Sequence, residues 1–234
     1  MTPLDRLAAD PARAALLFDV DGTLAPIVRD PEAASVPEGT RAELRRLAGR
    51  YGLVACVSGR TAEAARRIVG VPELEYVGEH GLALDPAAEG FARRIHEFAA
   101  GVDWPVESKP LSVAFHYRTA ADPEAARLAL EPVAVAALEE GFRTRWGRMV
   151  LEVLPPVDAS KGTAVRALLA ERGLERALYA GDDATDLDAF LALDGLELAV
   201  RIAIGSSETP ERLGETADLV VSSPASLAEL LTQL

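Results

Sequence analysis

Short apolar runs recur along the chain, each stopping at small, polar or acidic residues, with helix-spaced apolar stripes between them. Leu16-Leu17-Phe18 runs into Asp19-Val20-Asp21-Gly22-Thr23-Leu24. Leu53-Val54-Ala55-Cys56-Val57 runs into Ser58-Gly59-Arg60, and Glu75-Tyr76-Val77-Gly78 into Glu79-His80-Gly81. Continuous apolar runs predict strands buried on both faces, as in a parallel sheet covered by helices. The stripes between them agree. Pro37 opens a helix with Leu44, Leu47 and Ala48 inward, Gly49 and Gly52 end it, and Thr61 to Ile68 predicts the next. Residues 1–14 read as a polar, Ala-rich leader, and 25–31 as a loop or flap. The order is βαβαβ, which implies an α/β fold.

The pattern then changes. Residues 85–90 read as a linker, and Phe91, Ile95 and Phe98 mark a helix ending at Gly101. Residues 111–117 alternate polar and apolar, the mark of a half-exposed antiparallel strand. A helix over 123–139 is predicted to be interrupted or bent at Pro132. Residues 142–146 and 149–154 flank Gly147-Arg148 as a hairpin, and Pro155-Pro156 closes the segment. Residues 88–156 therefore read as a small α+β insert between two parts of a core, 1–87 and 157–234. The parallel pattern resumes with a helix after Lys161-Gly162 and a buried strand at 177–180. Gly181-Asp182-Asp183-Ala184-Thr185-Asp186 is the tip of that strand. Further strands are predicted at 198–204 and 218–221, and a last helix from Pro224 with Ser223 as its N-cap.

Of the 234 residues, 49% are hydrophobic and 26% charged, as in a globular chain. The net charge of −13 argues against a nucleic-acid backbone binder and gives no reason to invoke an anionic membrane surface. An anionic substrate stays open, because a metal and a local basic pocket reverse the local field. The lone cysteine, Cys56, sits in an apolar run and reads as a buried small hydrophobe. No basic segment followed by a long apolar one opens the chain, and no stretch is long enough to span a bilayer. A soluble, cytoplasmic monomer is the expectation.

The chemistry gathers at the strand tips. Strand alternation sends Asp19 and Asp21 to the same side. Two like charges so placed need a cation or a perturbed pKa, and a hard divalent ion such as Mg2+ suits oxygen ligands. Ser58 and the Gly59 N–H suit phosphate oxygens, and Lys161 adds a compact positive charge. Asp182 and Asp186 would complete an oxygen shell. In open α/β sheets such tips share one edge, where ligands bind. These are the parts of phosphoryl transfer by positioning and electrostatics. Trp104 and Trp146 read as packing residues of the insert, and nothing suggests a His/Cys zinc site.

These motifs resemble the haloacid-dehalogenase-type phosphatases, with a Rossmann-like core and a C2-type (C2B) cap insert. A closer likeness, to the trehalose-6-phosphate phosphatase family, lies in several stretches. They are Asp19 to Ile27, Val57-Ser58-Gly59-Arg60, Gly78-Glu79-His80-Gly81, His116-Tyr117-Arg118, Leu151-Glu152-Val153, Lys161-Gly162 and Gly181 to Asp186. The resemblance implies Mg2+-dependent hydrolysis of a small-molecule sugar phosphate. Asp19 would be the nucleophile, Asp21 the acid and base, and Lys161 the charge partner. Asp19, the Asp21 carbonyl and Asp182 would hold the metal, with Asp183 and Asp186 as ligands or supports. It further implies sugar contacts by Arg60, Glu79, His80, Lys109, His116, Arg118, Arg148 and Glu152, with the insert selecting the sugar. Where the family often has Glu after the last aspartate, this chain has Leu187 and then Asp188. Phosphatases of other sugar phosphates, a phosphomutase and a non-catalytic sugar-phosphate binder are the alternatives.

Overall fold

The computed structural model describes residues 2–28, 30–147, 149–206 and 209–234. Ten strands lie among them: β1 (Ala14–Phe18), β2 (Leu53–Val57), β3 (Glu75–Val77), β4 (Val106–Ser108), β5 (Val113–His116), β6 (Arg143–Gly147), β7 (Val150–Leu154), β8 (Arg176–Gly181), β9 (Leu198–Ile204) and β10 (Leu219–Val221). The chain forms two compact units, Met1–Gly81 with Ala159–Leu234, and Leu82–Asp158.

The first unit is built on a parallel six-stranded sheet in the order β10-β9-β8-β1-β2-β3. Strand β1 lies between β8 and β2, and all five of its residues are buried. Leu16 and Phe18 join one apolar layer with Val54, Cys56, Leu178 and Ala180. Ala15 and Leu17 join the other with Ala55, Val57, Ala177 and Tyr179. Two covered faces explain the unbroken apolar runs. Because every strand runs the same way, the tips after β1, β2, β3 and β8 reach one sheet edge. This is a haloacid-dehalogenase-like α/β core.

The second unit carries an antiparallel sheet in the order β4-β5-β7-β6. Helices Glu89–Ala100 and Pro123–Glu139 contribute Ile95, Ala126 and Leu130 to a core shared with Val113, Phe115, Leu151 and Val153. Trp104 and Trp146 are partly buried against it, Trp146 edge-on to Tyr117 at 6.2 Å.

Three local expectations change. The helix Pro123–Glu139 continues through Pro132. Pro132 and Leu128, whose carbonyl loses its donor, both face water, so solvent can replace the missing bond. The leader contains a helix, Pro3–Ala8, with a Thr2 capping box. Strand β4 and helix Glu211–Thr216 add to the predicted elements. All three residues of the first are exposed, so it lacks an apolar pattern. No helix among the described residues is long and apolar enough to cross a membrane.

Candidate active site

Beyond β1 the backbone turns sharply. Gly22 N donates to Ala25 O at 2.8 Å, and Ala25 N to Val20 O at 2.8 Å. Gly22 has φ +82, and a Cβ there would lie 2.1 Å from Asp182 Oδ2. Only glycine fits this turn and the close approach of Asp182. Asp19 stays buried at the strand end, its N–H donating to Ala180 O at 2.9 Å.

Lys161 begins helix Lys161–Arg172, held there by Ser160 and Thr163 in a capping box. Its Nζ lies 2.8 Å from Asp19 Oδ1 and 2.7 Å from Asp186 Oδ1. Asp186 is fully buried, and both its oxygens are heavily used. Oδ1 also accepts from Tyr179 OH at 2.7 Å, while Oδ2 accepts from the N–H groups of Asp182 and Asp183, both at 2.9 Å. The β8 tip is thus wrapped around the Asp186 carboxylate. Gly162 allows the helix to approach Asp188, since a Cβ there would meet Asp188 O at 2.4 Å. Leu187 packs against the apolar layer behind the tip.

Asp19, Asp182 and Asp186 each offer a carboxylate oxygen within 4.8 Å of the others. Burial pushes the Asp19 carboxyl well above the usual range. Lys161 pulls it back, and Asp186 and Asp182 raise it further. For Lys161, burial disfavours the ammonium, but Asp186 and Asp19 outweigh that and hold its pKa above the ordinary value. Ionising all three buried carboxyls against one buried ammonium leaves a surplus of negative charge in low dielectric. A hard divalent cation answers it, and the all-oxygen donor set fits such an ion. The side chain of Asp21 and Asp183 stand apart from the cluster. Asp183 Oδ1 accepts from Ala184 N at 2.6 Å. Cys56 is buried behind Asp19, and burial pushes its thiol far up, consistent with a packing role.

At the β2 tip, Ser58 is buried, and its Oγ accepts from Arg60 N at 3.2 Å. The β3 tip is laced to it: Glu79 N donates to Arg60 O at 2.8 Å and His80 N to Ser58 O at 2.9 Å. Glu79 (φ 48) and His80 (φ 55) are consecutive left-handed residues without being glycine. Such backbone costs on the order of 1–2 kcal/mol per residue. It turns the His80 ring over Gly59, where a Cβ would sit 2.4 Å from His80 Nε2. Arg60 turns toward the β1 tip and grips Asp21, with Nε 2.7 Å from Oδ2.

The second unit gathers a different set. Glu152 Oε1 accepts from Lys109 Nζ at 3.1 Å, and Oε2 from Arg145 Nε and Nη2 at 2.9 and 2.7 Å. His116 Nε2 pairs with Glu107 Oε2 at 2.6 Å on the exposed surface. Arg118 is exposed, and Arg148 lies outside the described residues. Arg145 and Tyr179 were not among the residues singled out from sequence. Arg145 stands opposite Glu152 in the β6–β7 register, a signal available once the hairpin register is known. Tyr179 is the one polar side chain inside the apolar stretch 177–180.

Comparison with known proteins agrees with this geometry. The model of the trehalose-phosphatase family matches residues 17–103 and 100–219. The trehalose-phosphate phosphatase of Mycobacterium ulcerans is 34% identical over 246 residues, covering 95% of this chain and 61% of that protein. That of Mycobacterium tuberculosis is 33% identical over 240 residues, covering 87% and 60%. The chain therefore spans about three fifths of the length of these relatives. Among solved structures, a trehalose-6-phosphate phosphatase related protein shares 26% identity at a TM-score of 0.71, over 93% of this chain and 95% of that one. The C-terminal domain of the Candida albicans trehalose-6-phosphate phosphatase shares the fold, with a TM-score of 0.75 at 22% identity, over 98% and 93%. With the buried Asp19, its Lys161 partner and the acidic β8 tip on one edge of a haloacid-dehalogenase-like sheet, the chain belongs to the trehalose-phosphatase family.

Proposed function

We propose that the chain is a Mg2+-dependent phosphomonoester hydrolase that converts trehalose 6-phosphate to trehalose and phosphate. The observation that carries this reading is the buried Lys161 ammonium, 2.8 Å from Asp19 Oδ1 at the strand tips. It holds one carboxylate oriented as a nucleophile, in a place where an unpaired carboxylate would keep a proton.

In the first step an Asp19 oxygen attacks phosphorus, the bond from phosphorus to the sugar oxygen breaks, and Asp21 gives that oxygen its proton. The second step reverses the role of Asp21: it takes a proton from water, whose oxygen attacks the aspartyl-phosphate and frees Asp19. Ser58 and the Gly59 N–H hold phosphoryl oxygens, and Lys161 neutralises them from one side. Asp19, Asp182 and the Asp21 carbonyl would hold Mg2+, with Asp186 supporting them through its grip on the β8 tip. When bound, the ion supplies charge neutralisation for the non-bridging phosphoryl oxygens.

Sugar selection is assigned to polar groups that can reject a compound lacking a matching hydroxyl. These are Glu79 and His80 in the first unit, and Lys109, Glu152, His116 and Arg118 in the second. Arg60 serves the reaction through Asp21. The reading includes a cytoplasmic monomer acting on a dissolved substrate, for which the net charge of −13 favours solubility.

The test is phosphate release from trehalose 6-phosphate, sucrose 6-phosphate and glucose 6-phosphate, with Mg2+ and with chelator, beside Asp19→Asn. A strong metal-dependent preference for trehalose 6-phosphate, absent in the variant, is expected. Equal turnover of all three overturns the substrate assignment, and turnover retained in Asp19→Asn overturns the mechanism.

A further inference from the structure

Tyr179 sits on β8 with both neighbouring strands in register, opposite Leu17 of β1 and Arg201 of β9. Its ring is fully buried in the apolar layer, edge-on to Phe190 at 6.1 Å. Phenylalanine would fill that slot equally well, so packing does not account for the hydroxyl. A buried hydroxyl is costly without a partner. Here its partner is Asp186 Oδ1 at 2.7 Å, the same oxygen that accepts from Lys161 Nζ at 2.7 Å. Lys161 in turn reaches Asp19 Oδ1 at 2.8 Å. Tyr179, Asp186, Lys161 and Asp19 form one continuous buried line, and the first of them lies outside the groups that meet substrate.

We propose that Tyr179 is a positioning residue that sets how Lys161 is shared between Asp186 and Asp19. The hydroxyl occupies one lone-pair direction of Asp186 Oδ1 and supplies part of the positive density that oxygen needs. The remaining demand is met by Lys161, whose ammonium stays shared with Asp19 instead of collapsing onto Asp186. Without the hydroxyl, Asp186 Oδ1 holds Lys161, already at 2.7 Å, more strongly, the contact to Asp19 Oδ1 lengthens, and Asp19 and the phosphoryl group lose part of their neutralising charge. The loss falls on the chemical step, because the groups that meet the sugar are untouched. This inference rests on the hydrolase reading for its kinetic consequences only, since the side-chain line is a feature of the free protein.

Tyr179→Phe is the direct test, with Phe190→Leu as a packing control that leaves the hydroxyl in place. The expected result is a fall in kcat of about tenfold or more with KM within about twofold, on any phosphomonoester the wild type hydrolyses. Phe190→Leu should lower thermal stability but keep kcat near wild type. Asp186→Asn should lower kcat at least as far, and adding Tyr179→Phe to it should cost little more, because the two act in series. Unchanged kcat in Tyr179→Phe, full kcat in Asp186→Asn, or effects that simply multiply each overturn the proposal. An equal loss of kcat in Phe190→Leu does so too, since it would assign the effect to packing. A crystal structure of Tyr179→Phe gives a readout independent of turnover. The distance from Lys161 Nζ to Asp19 Oδ1 should lengthen from 2.8 Å while the bond to Asp186 is kept, and an unchanged distance refutes the claim even if the wild type proves to hydrolyse no sugar phosphate.

Discussion

Arg60 holds Asp21 by both carboxylate oxygens, Nε to Oδ2 at 2.7 Å and Nη2 to Oδ1 at 2.8 Å. Nη2 also donates to Pro31 O at 3.0 Å, which anchors the guanidinium to the loop beyond β1. A planar fork fixes the direction of a carboxylate, as a lysine ammonium does not. In the proposed reaction this fork orients the Asp21 carboxylate as the base of the second step, and to serve as the acid of the first Asp21 must take up a proton and give up one of these two bonds.

Arg60→Lys should accordingly lower kcat on a sugar phosphate by about tenfold. The fall should be much smaller on p-nitrophenyl phosphate, whose leaving group needs little protonation. Steady-state kinetics on both substrates measures the difference. An equal fall on the two would mean that Arg60 does not act through Asp21.

The acidic cluster predicts a metal-linked stability. A cation that binds only the folded state stabilises it by RT ln(1 + [L]/Kd), about 2.7 kcal/mol at a hundredfold excess over Kd. Thermal melts of the wild type should shift upward in Mg2+ and return in chelator. Asp182→Ala should lose most of that shift, because it removes one of the clustered oxygens. A variant that keeps the full shift would place the ion elsewhere.

In the second unit, Glu152 is the shared acceptor of Lys109 and Arg145, and its side chain is only 9% exposed. Removing one partner of a buried charge group leaves the others uncompensated, a loss of about 3–5 kcal/mol when burial is complete and less here. Glu152→Gln should destabilise the protein measurably by urea denaturation. It should also lower the ratio of kcat/KM for trehalose 6-phosphate to that for p-nitrophenyl phosphate. A lowered stability with an unchanged ratio would make the cluster structural only.

Cys56 predicts an alkaline effect. Burial raises its folded pKa, so the folded state keeps the proton while the unfolded thiol ionises above pH ~8.5. The contribution is complete well below that pH and is lost as pH rises through it toward the folded value. Wild type should therefore lose about 1.6 kcal/mol more than Cys56→Ala between pH ~8.5 and pH ~10. Denaturation curves at the two pH values measure this, and parallel losses in both proteins would refute it. Native protein should also resist thiol reagents until it unfolds.

Local pattern carried a large part of this molecule. Unbroken apolar runs marked β1, β2 and β8 because a strand covered on both faces has no polar side to show. The alternation at 111–117 marked β5, whose Val113 and Phe115 enter the core, but the strand is not half-exposed: Ser112 and Ala114 are buried too, and only His116 of β5 is exposed. Asp19, Ser58, Lys161 and Asp182 were legible because each follows such a run or opens a helix, and parallel strands deliver their tips to one edge.

Pairing was decided elsewhere. Arg60 and Asp21 stand 39 residues apart, and Thr23 and Asp182, 3.4 Å apart at Thr23 Oγ1, are separated by 159. No local period encodes such partners. The role of Asp186 was likewise hidden, because its four donors come from Tyr179, Lys161 and two backbone N–H groups that meet only in the fold. Arg145 found Glu152 through strand register, and Pro132 stayed inside its helix because its side of that helix faces water. Sequence by itself determined which segments are buried and which chemistry their ends carry, since both follow from neighbours in the chain. Tertiary structure alone decided which charge meets which, since that depends on where distant segments cross.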